Sequence, residues 1–278
     1  MNIIGALWFR NIKIFVRNRI QLVFAIIMPF FFLYVFSAIF KTDNITNPVN
    51  YMLAGIVITT VFQTSLTIAS STIDDIVSGF MKEVLVSPVK RIQIAAGQLL
   101  SAATIATFQG IIILFIGYFI GLKFTSFFTP FAVIIVMIMV GLVFSGLGLF
   151  LAATVKNSQT FQVVVAAISM PLTFLSGAYI PLSLLPKTLQ YVAYFNPMTY
   201  TTAFFRTIIL EKTALTTEEL VGEQLAFEIG DFVITPLISM VIVLLFGLVF
   251  LLLSTLVFTK VDFSRINRSK NKEEDIWS

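Results

Sequence analysis

Residues 124–155 read FTSFFTPFAVIIVMIMVGLVFSGLGLFLAATV, a run without one charged side chain. The hydrocarbon core of a bilayer is about 30 Å thick. A helix rising about 1.5 Å per residue crosses it with about 20 residues, so this run is long enough to span. Working outward, further uncharged runs occupy 20–40, 51–73, 92–122, 157–186 and 232–259. The whole chain of 278 residues is 58% hydrophobic and only 12% charged. Soluble domains sit near 45–50% and about 25%. A mean hydropathy of +0.98 agrees. The expectation is an all-α membrane protein with six transmembrane helices.

A seventh neutral run, 188–205, is shorter and carries Asn196-Pro197 in its middle, behind Pro181 and Pro186. Proline removes a backbone donor, so one continuous helix in lipid could not satisfy this stretch. It reads as broken, re-entrant half-helices. With six spans and a cytoplasmic N-terminus, thirteen Lys and Arg fall inside, against Lys41, Lys123, Lys187, Arg206 and Lys212 outside. That bias predicts both termini in the cytoplasm. The first apolar run exceeds a signal-peptide core and lacks a clear small-residue cleavage site, so it reads as a retained anchor.

The composition also removes chemistry. No Cys and no His are present, which excludes disulfides, thiolate or imidazole metal ligands, and histidine or cysteine catalysis. The net charge of +4 does not gather into a basic stripe with interleaved aromatics, so no nucleic-acid partner is expected. No G-x-x-x-x-G-K-[ST] motif occurs, so the loop that cradles ATP phosphates is missing. The six runs hold no ionisable residue, Asp74-Asp75 and Arg206 falling at or beyond their ends. Gradient-driven carriers usually keep such residues within their spans.

Three segments stand apart from the spans. Residues 1–19 form an amphipathic unit: Ile4, Trp8, Ile12 and Phe15 share one side at 100° per residue, and Arg10, Lys13 and Arg17 lie opposite. The pattern suits a helix on the inner membrane surface; the alternative is a simple extension of the first span. The loop 74–91 mixes apolar and charged residues, with Phe80, Met81, Val84, Leu85 and Val86 as its apolar set, and Pro88 as its stop. It is either an interfacial helix lying on lipid or a docking knob for a cytoplasmic partner. Lys90-Arg91 would anchor the next span at the headgroups. The region 177–231 opens on Ser176-Gly177, holds Pro181, Pro186 and Asn196-Pro197-Met198-Thr199-Tyr200, and ends in an acidic stretch. It reads as an outer gate or a structural plug. Thr216 and Glu219 have capping-box spacing, and a solvated lid helix accounts for the residues that follow. Residues 260–278 form a charged cytoplasmic tail, and 20–259 is the membrane domain.

Two of these segments resemble the permease family of type-2 ATP-binding-cassette (ABC) exporters, in particular daunorubicin-resistance-type transmembrane subunits. The first carries Gly79-Phe80, Lys82-Glu83-Val84-Leu85-Val86-Ser87-Pro88-Val89-Lys90-Arg91; the second carries Leu175-Ser176-Gly177, Ile180-Pro181, Leu185-Pro186 and Asn196-Pro197-Met198-Thr199-Tyr200. Met198 and Ile180 depart mildly from the family pattern, which usually has Leu and Phe there. The resemblance implies two permease chains, here an identical pair, over two cytoplasmic ATPase subunits that hold ATP and Mg. No cofactor would sit on this chain, and the chain itself would not be an enzyme. Residues 74–91 would then be the coupling helix, through Gly79, Phe80, Lys82, Glu83, Leu85, Pro88 and Arg91. The N-terminal helix would clasp the same subunit, and Ser176, Gly177, Pro181, Pro186, Asn196, Pro197 and Tyr200 would close the exit. The implied setting is a prokaryotic plasma membrane.

The expected function is export of an amphipathic or lipid-linked substrate. A secondary carrier or channel is the alternative. An intramembrane lipid enzyme finds no His, Cys or in-span carboxylate to work with. Phenylalanine clusters at Phe30-Phe31-Phe32, Phe127-Phe128-Phe131 and Phe204-Phe205 are aromatic walls for such a cargo or plain lipid-facing and packing residues.

Overall fold

The computed structural model describes residues 3–39, 48–81, 84, 89–155, 157–229 and 232–260. Helix α1 (Ile3–Arg17) meets α2 (Arg19–Ile39) at a bend of 74°. Helices α3 (Pro48–Thr67) and α4 (Ser70–Val77) follow, then the long α5 (Arg91–Ile120) and α6 (Thr129–Thr154). Helix α7 (Ser158–Phe174) leads into a 3-10 turn at Leu182–Leu184, short α8 (Lys187–Ala193) and α9 (Pro197–Ile209). A cap made of α10 (Thr217–Gly222) and the hairpin β1 (Phe227–Ile229) and β2 (Phe232–Ile234) precedes the last helix, α11 (Pro236–Lys260).

Among the described residues four helical stretches are long and apolar enough to cross a membrane: Asn50–Ile76, Arg91–Ile120, Thr129–Thr154 and Pro236–Phe258. The bent pair of α1 and α2 makes a fifth when counted as one span. The neutral run 157–186 does not form one helix. Its helical part, α7, has 17 residues, and the chain then turns at Gly177, whose φ of +76° lies in the left-handed region that suits glycine. The run 232–259 starts as a strand and becomes helical only at Pro236.

Stretch 50–76 is the centre of the bundle: 72% of its apolar window is buried, against 22% for α11, which faces outward. α3 packs against α2, α5, α6 and α9. Small residues let these helices approach where apolar attraction alone gives no preference for protein over lipid. A Cβ at Gly141 of α6 would lie 2.9 Å from Ala103 Cα of α5, and one at Gly148 would lie 2.8 Å from the Leu66 carbonyl oxygen of α3. Phe62 and Phe144 meet edge to face in this core at 4.6 Å.

The Asn196-Pro197 break falls where the prolines predict, between α8 and α9. Asn196 caps α9 by accepting the Met198 N–H at 2.8 Å, and Pro197 takes the first helical position, where no N–H is needed. Thr216 and Glu219 form the expected capping box of α10. The lid helix itself stops at Gly222. Gln224 turns through a φ of +59°, and alternation of buried Phe227, exposed Glu228 and half-buried Ile229 makes a strand of the rest.

The tightest of the described glycine contacts, α3 against the turn after α7, gives a direct test. A Cβ at Gly55 would sit 2.1 Å from the Ala178 carbonyl oxygen, whereas nothing lies within 4 Å of one at Gly5. Gly55→Ala is expected to cost about 3 kcal/mol or more, since backbone must move. Gly5→Ala is expected to be neutral. Thermal unfolding of the two variants in detergent checks the pair.

Candidate functional site

At the end of the bundle near the N-terminus, α1 lies across the first turns of α5. Leu7 packs onto Gly97, where an added Cβ would be 3.1 Å from Leu7 Cβ. Asn11 Nδ2 donates to Gln98 Oε1 at 2.7 Å and to Ser101 Oγ at 2.9 Å, and Trp8 Nε1 donates to Thr104 Oγ1 at 3.0 Å. Arg10 reaches Asp75 of α4 with both terminal nitrogens, one of them at 2.8 Å, and its guanidinium carbon stands 4.2 Å above the Phe80 ring centre. Asp75 is 3% exposed and also accepts from Gln98 Nε2 at 3.4 Å. Its neighbour Asp74 accepts from Ser158 Oγ at 2.6 Å, which ties α4 to the start of α7.

Beneath these polar links Leu7, Ile76, Met81, Val84, Ile94, Leu149 and Phe258 form one apolar cluster. α1, α4, the segment after Gly79, α5, α6 and α11 therefore share a single plate. Gly79, with φ of +84°, ends α4, so 74–91 is not one continuous helix. Phe80, Met81 and Val84 resume helical geometry beyond the turn. Arg91 opens α5 and is half-buried. Lys82, Glu83, Leu85 and Pro88 lie outside the described residues.

The amphipathic reading of residues 3–17 needs correction. The buried stripe is Leu7, Asn11 and Phe15, and Trp8 is 36% exposed at its edge. The hydrophobic periodicity missed it because the central position is a polar Asn that finds amide and hydroxyl partners on α5. Of the basic residues opposite the apolar side, Arg10 is bound to Asp75, whereas Lys13 and Arg17 are exposed. Asp74 and Asp75 lie at the end of the stretch 50–76, the edge position the sequence gives them.

At the far end, the outer-gate residues converge. Ser176 Oγ donates to the Thr173 carbonyl at 2.6 Å, and Asn196 Nδ2 donates to the Leu172 carbonyl at 2.7 Å, so α9 is fastened to the end of α7. Thr199 Oγ1 donates to the Ala193 carbonyl at 2.7 Å, and the Tyr200 hydroxyl donates to the Tyr194 carbonyl. Gly177, Pro181 and Pro197 are buried in this knot, while Pro186 stands exposed at its rim.

Two further residues organise this end without having been singled out from sequence. Arg206, 2% exposed, donates to the carbonyls of Gly177 and Ala178 at 3.2 Å and of Tyr51 at 3.3 Å, with the Tyr51 ring centre 3.4 Å from its guanidinium carbon. A lone basic residue in an apolar helix was the signal available. Glu211 accepts the N–H groups of Thr125 and Ser126, the latter at 2.8 Å, and the Thr129 hydroxyl at 2.6 Å. It thereby joins the end of α9 to the start of α6. The Thr129 hydroxyl and these backbone donors hold its carboxyl down to about 2.

Between the two ends, a side cavity of about 350 Å³ opens among α2, α3, α5 and α7. Phe24, Met28, Phe32 and Phe174 make its apolar wall. Opposite them Gln63 Nε2 donates to Ser169 Oγ at 3.2 Å, Thr64 donates to Gln109, and Thr59 and the Tyr179 hydroxyl are 3.2 Å apart. Among the described residues no Asp, Glu, Lys or Arg lines it.

The sequence that builds this arrangement matches a known family. The model of the ABC-2 type transporter family covers residues 3–210. The chain belongs to that family. A Cyanophora paradoxa protein, ycf38, named as a transport permease, is 28% identical over 242 residues, covering 84% of this chain and 80% of its own length. YbhR of Escherichia coli K12, named as a multidrug ABC transporter permease, is 31% identical over 143 residues, 49% of this chain and 37% of its own length. The chain is thus an integral membrane permease of an ABC transporter, and family membership implies association with an ABC ATPase subunit.

The Glu211 clasp of the permease makes a pH prediction. A carboxyl at about 2 when folded, against an ordinary 4.5, stabilises the fold above the ordinary range. That contribution fades as pH falls from 4.5 toward 2. Glu211→Gln is expected to lower the melting temperature at pH 7, with the gap from the native chain narrowing steadily below pH 4.5. A gap that does not change with pH would refute it.

Proposed function

We propose that this permease is the membrane subunit of an exporter for an amphipathic or lipid-linked substrate, driven by ATP hydrolysis on separate cytoplasmic subunits that bind ATP and Mg. Two copies, taken to be identical, would form the pathway over two ATPase subunits. The observation that carries the reading is the near-end plate, where Asp75 gathers Arg10 of α1 and Gln98 of α5. The segment after Gly79 rests on the same apolar cluster. A push delivered there by a partner reaches α1, α4, α5 and α6 together.

In this reading 74–91 is the coupling segment, docked through Phe80 and the residues Lys82, Glu83, Leu85 and Pro88. Six crossings follow if α2 spans alone and α7 with its turn completes the crossing that its own length leaves short. The Lys and Arg bias then puts both termini and the plate in the cytoplasm and the knot outside. The side cavity supports the substrate class: an apolar aromatic wall faces hydroxyl and amide groups, which suits an uncharged amphipathic body. The relatives' names, transport permease and multidrug ABC transporter permease, point the same way.

One observation speaks for the gradient-driven alternative. Asp75 is a buried carboxylate at the end of a membrane-spanning stretch. Its two-pronged pairing with Arg10 argues against that role, because the pair ties the carboxylate into a fixed contact between α1 and α4.

The test is transport by the permease reconstituted with its ATPase. Dissipating the proton gradient with ATP intact is expected to leave transport unchanged. Asp75→Asn, and separately the double variant Glu83→Ala with Leu85→Ala, are expected to insert normally and cut substrate-stimulated ATP hydrolysis at least tenfold. Unchanged ATPase association and unchanged transport in both would overturn the coupling assignment, and arrest on gradient collapse would favour the carrier.

A further inference from the structure

Helix α1 is bound to the bundle through one side, and its hydrogen bonds settle how the other side is turned. α5 enters the bundle at Arg91 and ends at Ile120. Counting back about 20 residues from that end, at about 1.5 Å each, puts the hydrocarbon edge near Ser101. α1 meets α5 at Gly97, Gln98, Ser101 and Thr104, astride that edge. Trp8 bonds to Thr104, the deepest of these, whereas Arg10 bonds to Asp75 at the end of stretch 50–76. The Trp8 side of α1 therefore points toward the hydrocarbon and the Arg10 side toward the water boundary.

Helical spacing then gives the outward surface. Ile12 and Val16 continue the Trp8 side in steps of four residues, and Phe9 lies seven residues before Val16 on the same face. Phe9 and Val16 are each more than half exposed. Lys13 and Arg17 continue the Arg10 side, and Arg19 opens α2 just past the bend; all three are exposed. Among the described residues no carboxylate stands within ion-pair distance of them. The first acidic residue of the chain is Asp43, so nothing in the preceding sequence offsets their charge. An uncovered apolar strip beside an uncovered basic strip, at the depth where acyl chains give way to headgroups, is complementary to hydrocarbon under net negative charge.

We propose that the outward face of α1 is a seat for anionic phospholipid, its phosphate held by Lys13, Arg17 and Arg19 and its acyl chains lying against Phe9, Ile12 and Val16. A zwitterionic lipid offers the same chains and the same phosphate, but its own ammonium competes with the three cations. Because Arg10 belongs to the same helix, lipid on this face also braces the near-end plate through the Arg10–Asp75 pair. The seat does not depend on the export reading. Its rival occupant is a protein subunit docked on the same face.

The chain has two tryptophans, Trp8 and Trp277, so Trp277→Phe leaves Trp8 as the only indole. Trp8 is partly exposed at the edge of the seat. Bromine on an acyl chain quenches indole fluorescence only at near contact, which makes Trp8 a reporter of the lipid beside α1. The full Trp277→Phe permease is reconstituted in phosphatidylcholine nanodiscs, with brominated phosphatidylglycerol or brominated phosphatidylcholine replacing that lipid stepwise. Phosphatidylglycerol is expected to reach half-maximal quenching at a mole fraction at least threefold lower. Lys13→Gln, Arg17→Gln and Arg19→Gln combined are expected to bring the two lipids level. Salt at about 1 M, where the Debye length is about 3 Å, is expected to do the same without a substitution, and carries the test should the triple variant fail to insert. Equal quenching by the two lipids, or a preference that survives either treatment, would overturn the proposal. Loss of quenching by both lipids once the ATPase subunit is bound would overturn it too, and would assign the face to protein.

Discussion

The ion pair between Arg10 and Asp75 fixes the near end of this molecule. Asp75 is almost fully buried at the end of an apolar stretch, and a carboxylate there must be paired and hydrogen-bonded or the helix carrying it would not stay. Removing one partner of a buried pair typically costs about 3–5 kcal/mol, though Arg10 keeps a third of its side chain exposed and solvent screens part of that. The requirement explains why α1 lies across α5 instead of drifting on the bilayer surface. It also explains the 74° bend at Asn18, since α2 must run along the bundle while α1 stays where Arg10 can reach Asp75. Phe80 under the guanidinium brings the start of the next segment to the same point.

The far end meets the same constraint with backbone rather than side chains. Breaking a helix at Gly177 and again at Asn196-Pro197 frees carbonyls and N–H groups that lipid cannot satisfy. Arg206 takes up the carbonyls of Gly177, Ala178 and Tyr51, and Asn196 takes up that of Leu172. Stretch 50–76 touches both solutions: Tyr51 and Gly55 meet the knot, and Asp75 belongs to the plate. Thr59, Thr60, Gln63 and Thr64, between them, form one wall of the side cavity. A displacement of this helix at either end therefore moves a wall of the cavity. Any coupling between the ends has this physical route available, with no long-range relay of side chains needed.

Charge-free runs and proline breaks were legible from the sequence because they follow from bilayer thickness and missing donors, which are local. The capping box at Thr216 was legible for the same reason. What remained hidden was partnership. Periodicity put Arg10 on the polar face yet could not know that Asp75 stood opposite, 65 residues on. It turned Trp8 and Ile12 to the membrane surface and passed over Asn11, because a polar Asn11 does not look like a packing residue until Gln98 and Ser101 are beside it. Core and periphery were equally invisible. α3 and α11 are both neutral and apolar, but one is the centre and the other an outer helix. In a bilayer, hydrophobicity no longer separates protein-facing from lipid-facing surface; only small-residue contacts such as Gly141 on Ala103 do.

The distribution of buried charge bears on how such a protein is driven. A proton- or ion-coupled carrier needs a titratable group that faces its pathway and changes partners during the cycle. Here the side cavity is lined by hydroxyls, amides and aromatic rings, and the buried ionisable groups Asp75 and Arg206 stand at opposite ends of stretch 50–76, away from that lining. Asp75 is neutralised by a two-pronged guanidinium, and Arg206 is spent largely on backbone carbonyls. Their positions suit fixing geometry rather than carrying charge across. A chain built this way holds its two ends rigidly and leaves a neutral cleft between them. In the reading proposed above, work on that cleft arrives as mechanical displacement at one end, delivered by an ATPase docked at the plate.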